Sequence, residues 1–170
     1  MNQKFRRRSI RLKDYDYSRA GAYFVTICVD NHDCVFGNIQ GENMVLNELG
    51  NKVQQFWEQI PEHNENVILD EFVIMPNHIH GILLINKPNY DDWRPNKFGP
   101  QSNNLGSVVR GYKAGVKKYA TINRIEFEWQ PRYHDSIIRT ENALRNIRQY
   151  IIDNPMKWEQ DRNNIENLMM

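Results

Sequence analysis

The fold is decided by the stretch VILDEFVIMPNHIHGILLI, residues 67–85, in which two apolar runs flank the dipeptide Pro76-Asn77. Proline followed by asparagine favours a turn, and each apolar run has the length of a single strand. The pattern therefore predicts two neighbouring antiparallel strands joined by a tight turn. Two imidazoles, His78 and His80, then lie beside that turn, at the head of the second strand.

The spacing of His78 and His80 places both side chains on one face of the strand, because residues two apart in a strand point the same way. Because the two rings share a face, both can reach one ion. Imidazole is also the most common metal ligand in proteins. Two ligands hold an ion weakly, and a third ligand, an amide or carboxylate oxygen, is expected from elsewhere in the fold. A structural role for each histidine is the alternative.

A second candidate group lies near the end of the last predicted helix, for which Thr140 is the expected N-cap and Pro155 the stop. Tyr150 and Asn154 are four residues apart, on the border of the apolar face of this helix. They would offer a phenolic nucleophile and an amide oxygen from one surface. Together with two histidines they suggest a metal-assisted enzyme that cuts phosphodiesters. Alternatively, Tyr150 only covers the core and Asn154 only ends the helix.

The remaining segments complete the order strand, hairpin, helix, strand, strand, helix, strand, helix. This order predicts an α+β fold, an antiparallel ferredoxin-like (RRM-like) sheet with helices mainly on one face. The proline-rich stretch 87–104 is expected to be a long loop. The other predicted elements are a strand at 23–29, a hairpin of 35–39 and 44–46 around Gly41, a helix at 49–60 ended by Pro61, a helix at 105–119 capped by Ser102 or Asn103, and a strand at 133–138.

The composition indicates one globular domain in a chain of 170 residues, with a net charge of +1. Cys28 and Cys34 lack the spacing of a redox or metal motif, so a reduced, cytoplasmic protein is expected. No apolar window reaches the roughly 20 residues of a membrane span.

Basic residues are concentrated at the N-terminus and along one face of the second predicted helix, at 105–119, so the near-neutral total does not exclude nucleic acid. Such residues contribute affinity for phosphate and carry little sequence information. A solvated tail and a solvated helix face are the alternatives. The residues expected to contact DNA are Arg6, Arg7, Arg8, Arg11, Arg110, Lys113 and Lys117.

Four motifs resemble, in the same order, those of the HUH-type single-tyrosine transposases, in particular the branch associated with repetitive extragenic palindromes (REPs). The resemblance covers roughly residues 8–155. It is carried by VIMPNHIHG at 73–81, LGSVVRGYK at 105–113, WQPRY at 129–133 and YIIDNP at 150–155. The first of these contains the histidine, hydrophobic, histidine signature.

The resemblance implies a specific chemistry. Tyr150 would attack a single-stranded DNA phosphodiester, forming a 5′-phosphotyrosine and a free 3′-hydroxyl that can later reverse the reaction. His78, His80 and Asn154 would hold a divalent ion, Mg²⁺ or Mn²⁺. Because a phenol with a pKa near 10 is a poor nucleophile at neutral pH, charge neutralisation by the ion would be needed. The expected substrate is hairpin-bearing single-stranded DNA.

One position departs from the family pattern: Ser136 stands where relatives often carry histidine. His134 lies two residues earlier and is expected to replace that histidine only with a change of strand face. We therefore interpret His134 as structural or DNA-contacting.

The domain division predicted from the sequence is a basic N-terminal arm at 1–20, the transposase domain at 21–155 and a C-terminal tail at 156–170. Either a monomer or a homodimer fits. The main alternative function is a domesticated or non-catalytic protein that binds hairpin or single-stranded nucleic acid. A relaxase or replication initiator would use the same chemistry, but it usually has a third nearby histidine and a larger chain.

Overall fold

The computed structural model describes residues 21–86, 104–161 and 163. The predicted arm at 1–20 and most of the predicted loop at 87–104 lie outside this range. The strands are β1 (Gly21–Cys28), β2 (Gly37–Gln40), β3 (Asn43–Leu46), β4 (Val67–Ile74), β5 (His78–Ile85) and β6 (His134–Ile138). The helices are α1 (Glu48–Glu58), α2 (Ile60–His63), α3 (Leu105–Ile122) and α4 (Glu141–Asp153).

Four of the strands form one sheet in the order β4-β5-β1-β6, and every neighbouring pair is antiparallel. Leaving aside the β2-β3 hairpin and α2, the chain runs β1-α1-β4-β5-α3-β6, the ferredoxin-like βαββαβ order. The prediction of an α+β fold built on an antiparallel sheet is confirmed. The small hairpin predicted around Gly41 also forms, with Gly41 at a φ of 63° in its turn.

The β4-β5 hairpin forms as its sequence predicts. Ile74 pairs with Ile79, and the Met75 amide donates to the His78 carbonyl at 2.8 Å, so Pro76-Asn77 is a two-residue turn. The pairing register shifts between Leu69 and Phe72. Because of this irregularity, Asp70 lies outside the regular β4-β5 ladder. Its side chain is then available to helix α4.

The larger core lies between one face of the sheet and the two helices α1 and α3. Trp57 of α1 is fully buried and packs edge-on against Tyr112 of α3, with ring centroids 5.2 Å apart. A β-carbon at position 81 would collide with the Trp57 ring, so only glycine lets the tryptophan lie this close to β5. Gly81, directly after the histidine pair, thus lies on the face of β5 that packs against the main core.

The opposite face of the sheet is covered by α4. A smaller core forms there around Ile82, Ile138 and Ile151, separate from the main core. The prediction of helices mainly on one face therefore holds for α1 and α3, while α4 packs on the other face. Since residues of β5 alternate between faces, His78, His80 and Ile82 all point towards the α4 side.

The helix ends differ in two places from the predictions. Pro61 is not simply a stop, because it lies in the first turn of α2, directly after α1. The cap of α3 is Asn104, not Ser102 or Asn103: its side chain accepts from the Ser107 amide at 2.9 Å, in a reciprocal capping box. Thr140 caps α4 as predicted. Within the described residues, no helix combines the length and apolarity needed to cross a membrane.

Candidate active site

The two histidines of β5 meet at the end of the sheet, as the alternation predicts. Both side chains are fully buried, and their Nε2 atoms lie 3.0 Å apart. At this distance the two lone pairs repel each other unless a hydrogen or a cation lies between them. The Nδ1 atoms point away from this meeting point. His78 Nδ1 lies 2.8 Å from Asn77 Oδ1, and His80 Nδ1 lies 2.8 Å from Thr26 Oγ1.

A carboxylate completes the cluster. Asp161 is buried, and its Oδ2 lies 3.6 Å from His78 Nε2. The candidate ligand atoms of His78, His80 and Asp161 all lie within 4.8 Å of one another, close enough to share one ion. Two imidazoles and a carboxylate, arranged so that each second nitrogen has its own partner, fit a divalent metal site.

Sequence reasoning missed Asp161, which belongs to the stretch 156–170 that it treated as a tail. In the structure, three described residues of this stretch, Trp158, Asp161 and Asn163, lie beside His78 or the Pro76-Asn77 turn. The Trp158 ring stacks on His78 with centroids 6.1 Å apart, and the Asn163 carbonyl accepts from Asn77 at 2.7 Å. No periodicity marks these residues, since they form a 3₁₀ turn (Trp158–Gln160) and an irregular end.

Asn154, the predicted third ligand, caps the C-terminus of α4 and is buried. Its Oδ1 is buried and has no hydrogen-bond partner among the residues that the structure describes. A buried amide oxygen without a partner costs free energy, which a bound cation would recover. Its role as a ligand stays a prediction, beside the carboxylate of Asp161.

Tyr150 lies next to the histidine pair while remaining open to solvent. Its side chain is 42% exposed, and its hydroxyl oxygen lies 3.4 Å from His80 Nε2. The Tyr150 ring meets the His80 ring edge-on at 5.3 Å, and Phe24 packs against both rings. The Tyr150 hydroxyl is thus both accessible to solvent and held beside a nitrogen of the candidate metal cluster.

An ion pair ties α4 to the sheet two residues before the tyrosine. Arg148 donates Nε and one terminal nitrogen to the two oxygens of Asp70, at 2.7 and 2.6 Å. The planar fork matches the carboxylate, which restricts the rotation of the helix more than a single bond would. The Arg148 guanidinium holds the pKa of the Asp70 carboxyl below its usual value.

Loss of this ion pair should destabilise the protein in a pH-dependent way. Because the pKa of Asp70 is lowered on folding, the stabilisation is present above the unfolded pKa of about 4 and is lost as the pH falls through the folded pKa. We expect Asp70→Asn to lower the melting temperature by about 1–3 °C at pH 7. The difference from the wild type should shrink as the pH falls below the unfolded pKa and disappear below the lowered folded pKa. Glu71→Gln, which removes a neighbouring charge, is the control; an equal loss there would point to net charge instead.

The basic residues predicted to bind DNA are placed away from the histidines where the structure describes them. Arg110, Lys113 and Lys117 lie on α3, which packs on the other face of the sheet. Lys113 donates to the Gln130 carbonyl at 2.6 Å, and partial burial lowers its pKa. Lys117 donates to the Phe127 carbonyl, also at 2.6 Å. These two lysines fasten the chain before β6 onto α3, and their contact with DNA stays a prediction.

Arg110 is exposed on the same helix. The four predicted arginines of the N-terminal arm, Arg6, Arg7, Arg8 and Arg11, lie outside the described residues. Their role therefore stays a prediction as well.

The expected change of strand face between Ser136 and His134 is wrong, because residues two apart on a strand share a face. Ser136 pairs with Phe24, and His134 pairs with Thr26, the partner of His80. Both are exposed and lie on the face that carries the histidine pair. His134 is thus in the same cross-strand row as His80.

Two proteins of Haemophilus influenzae are similar to this chain in sequence. An uncharacterized protein of Haemophilus influenzae is 47% identical over 165 residues, 92% of each chain. A second protein of that organism, provisionally named a REP-associated tyrosine transposase, is 28% identical over 151 residues, 84% of this chain and 74% of its own. No protein-family model matches the chain.

The fold has a solved counterpart. The structure of a REP-associated tyrosine transposase bound to a REP hairpin superposes with a TM-score of 0.62 at 17% identity, over 91% of this chain and 77% of that one. This likeness shows a shared fold, and the sequence relatives share most of their length with the chain. The chain is thus similar to REP-associated tyrosine transposases in fold and, at lower identity, in sequence, and it carries the four sequence motifs in the same order.

Proposed function

We propose that this protein cleaves and rejoins hairpin-bearing single-stranded DNA through a covalent bond to Tyr150, assisted by a divalent ion. One observation carries the proposal: the Tyr150 hydroxyl lies 3.4 Å from Nε2 of His80, within a buried cluster of two histidines and a carboxylate. A tyrosine that only covered the core would need no metal-binding group beside its hydroxyl.

The reaction conserves bond energy. The Tyr150 oxygen forms a bond to phosphorus, and the bond from phosphorus to the 3′ oxygen breaks, which leaves a 5′-phosphotyrosine and a 3′-hydroxyl. Attack by a 3′-hydroxyl on the phosphotyrosine reverses these steps, so no nucleotide cofactor is consumed. The ion would neutralise charge on the scissile phosphate and orient it. The contacts of α4 with the sheet hold the tyrosine in place.

The ligands suit Mn²⁺ better than Mg²⁺. We propose His78, His80 and Asp161 as ligands, with Asn154 as the fourth through its buried oxygen. Mg²⁺ prefers a shell of oxygen atoms, whereas imidazole nitrogens favour the later divalent ions, which bind such sites more tightly. Both ions should support the reaction, with Mn²⁺ active at lower concentration.

The proposed partner is a DNA hairpin with an unpaired flank. The solved structure of like fold is bound to a REP hairpin, and the basic residues of the N-terminal arm and α3 would supply phosphate contacts. We propose that residues 21–155 form the catalytic domain and 1–20 a DNA-binding arm. The segment after 155 would contribute Asp161 to the metal site.

The proposal is tested by incubating the protein with labelled single-stranded hairpin DNA, with Mn²⁺ or with chelator. We expect a protein–DNA adduct that survives denaturation and forms only with the ion. A hairpin that binds but gives no adduct with any divalent ion would contradict the proposal. The protein would then be a hairpin-binding descendant of the transposases.

The site should be complete within one chain. Tyr150 and the histidine pair of the same chain are in contact, so no tyrosine from a second subunit is needed. We expect that mixing Tyr150→Phe with His80→Ala protein restores no adduct. If subunits exchanged tyrosines, random pairing would restore about a quarter of the wild-type level. Co-expressed and separately purified mixtures should be compared, since a stable dimer would not exchange after purification.

A further inference from the structure

Asn77, in the turn between β4 and β5, has no role in the reaction described above, yet it is fully buried and makes three hydrogen bonds. Its Nδ2 donates to the carbonyls of His32 at 2.8 Å and Asn163 at 2.7 Å. Its Oδ1 lies 2.8 Å from His78 Nδ1. One side chain thus joins the proposed metal ligand to two distant segments of the chain.

The two carbonyls determine the orientation of the amide. If the amide were reversed, Oδ1 would face two carbonyl oxygens, and three acceptors would be buried together without a hydrogen. Oδ1 must therefore face His78, and because it can only accept, the hydrogen lies on Nδ1 of that ring. A neutral His78 then carries its lone pair on Nε2, the atom that faces His80 and Asp161.

Thr26, the partner of His80, does not fix the tautomer of that ring. Thr26 Oγ1 can donate to His80 Nδ1 or accept from it, since a hydroxyl does both. His80 can therefore carry its hydrogen on either nitrogen. Because the Asn77 amide oxygen can only accept, whereas the Thr26 hydroxyl can donate or accept, only His78 has its tautomer fixed by its partner.

The backbone conformation around His32 supports a specific role for its contact with Asn77. Asn31 and His32 both have left-handed φ values, 53° and 57°, a conformation that is uncommon outside glycine although asparagine and histidine adopt it more often than most residues. The second of these residues presents its carbonyl to Asn77. Strain of this kind persists where the surrounding structure requires it, and such sites are often functional.

We propose that Asn77 is a positioning residue, which fixes His78 in the tautomer with an Nε2 lone pair and ties this ring to the C-terminal segment that carries Asp161. The inference rests on the metal site of the proposed function. The Asn163 amide donates to Asp161 Oδ1 at 2.7 Å, so the bond from Asn77 to Asn163 also positions the carboxylate. Asn77 thereby acts on two ligands at once without touching the ion.

The first test uses the wild-type protein alone. In the presence of chelator, nitrogen-15 NMR of the histidine rings should place the His78 hydrogen on Nδ1. A hydrogen on Nε2 would overturn the proposal, and this result does not depend on whether any variant folds. DNA cleavage is not involved, so a failure to form the covalent adduct leaves the test intact.

The second test measures binding of Mn²⁺ by calorimetry. We expect Asn77→Ala to weaken binding about 10- to 100-fold, the usual effect of losing the partner of a metal-bound histidine. Asn77→Asp should keep the hydrogen on Nδ1, because it retains an acceptor. It loses both donors, so the C-terminal segment should become more open to proteolysis. Folded Asn77→Ala that binds Mn²⁺ within twofold of the wild type would overturn the proposal.

Asn104→Ala is the matched control, since it removes another buried asparagine that caps α3 away from the site. It should lower stability without changing Mn²⁺ affinity. An equal loss of affinity there would mean that general destabilisation, not His78, explains the effect. Wild-type protein that binds no Mn²⁺ would contradict the metal site of the proposed function, while the NMR test would still decide the role of Asn77.

Discussion

Replacing Tyr150 with phenylalanine should abolish covalent attachment to DNA while leaving hairpin binding unchanged. The substitution removes only the hydroxyl oxygen that would attack phosphorus, and the ring retains its edge-on contacts with His80 and Phe24. Because the substitution deletes the attacking atom itself, we expect the adduct to fall at least about a thousandfold, below detection. Denaturing gels with labelled hairpin DNA measure the adduct, and gel shift measures binding.

Tyr119→Phe is the matched control for this experiment. Its hydroxyl donates to Glu48 at 3.0 Å on the far side of the sheet, so its loss should leave the adduct at the wild-type level. If Tyr150→Phe still formed the adduct, another side chain would be the nucleophile. If it also lost hairpin binding, Tyr150 would contribute to recognition, and the loss of adduct would not identify it as the attacking group.

The second large effect is expected at the proposed metal ligands. His80→Ala should weaken Mn²⁺ binding by at least about 100-fold, more than the loss of an indirect partner costs. Asp161→Asn keeps the size of the side chain but removes the negative charge, and it should weaken binding about 10- to 100-fold. Adduct formation at limiting Mn²⁺ should fall in parallel, and excess Mn²⁺ should rescue Asp161→Asn more readily than His80→Ala.

Two comparisons make this result specific. Asn154→Ala tests whether the buried amide oxygen is a ligand, and we expect a smaller loss than for Asp161→Asn, since an amide is the weaker donor. Glu62→Gln removes one acidic charge from exposed α2 and should change nothing. If Asn154→Ala weakened Mn²⁺ binding and Asp161→Asn did not, the oxygen ligand would be the one predicted from the sequence. Asp161 would then have a structural role only.

The face shared by the histidines followed from the sequence alone, because strand alternation is a local property. The Pro76-Asn77 turn, the Thr140 cap and the apolar stripe of α4 were also predictable, since turns, caps and helical faces depend on residues a few positions apart. The order of these elements was enough to predict the antiparallel α+β sheet. The order of the four motifs indicated the family resemblance, and the resemblance implied the candidate roles of Tyr150 and Asn154.

Tertiary structure alone decided which groups surround the histidines. Asp161 and Asn163 reach the site from an irregular segment, and Thr26 reaches it from the neighbouring strand; no periodicity in the chain encodes such distant contacts. Lys113 and Lys117 carried the charge expected of a DNA contact, yet they bond to carbonyls of their own chain. Sequence therefore determined the strands, helices and faces through local forces, whereas long-range packing determined the proposed third ligand, Asp161, and the partner of each imidazole.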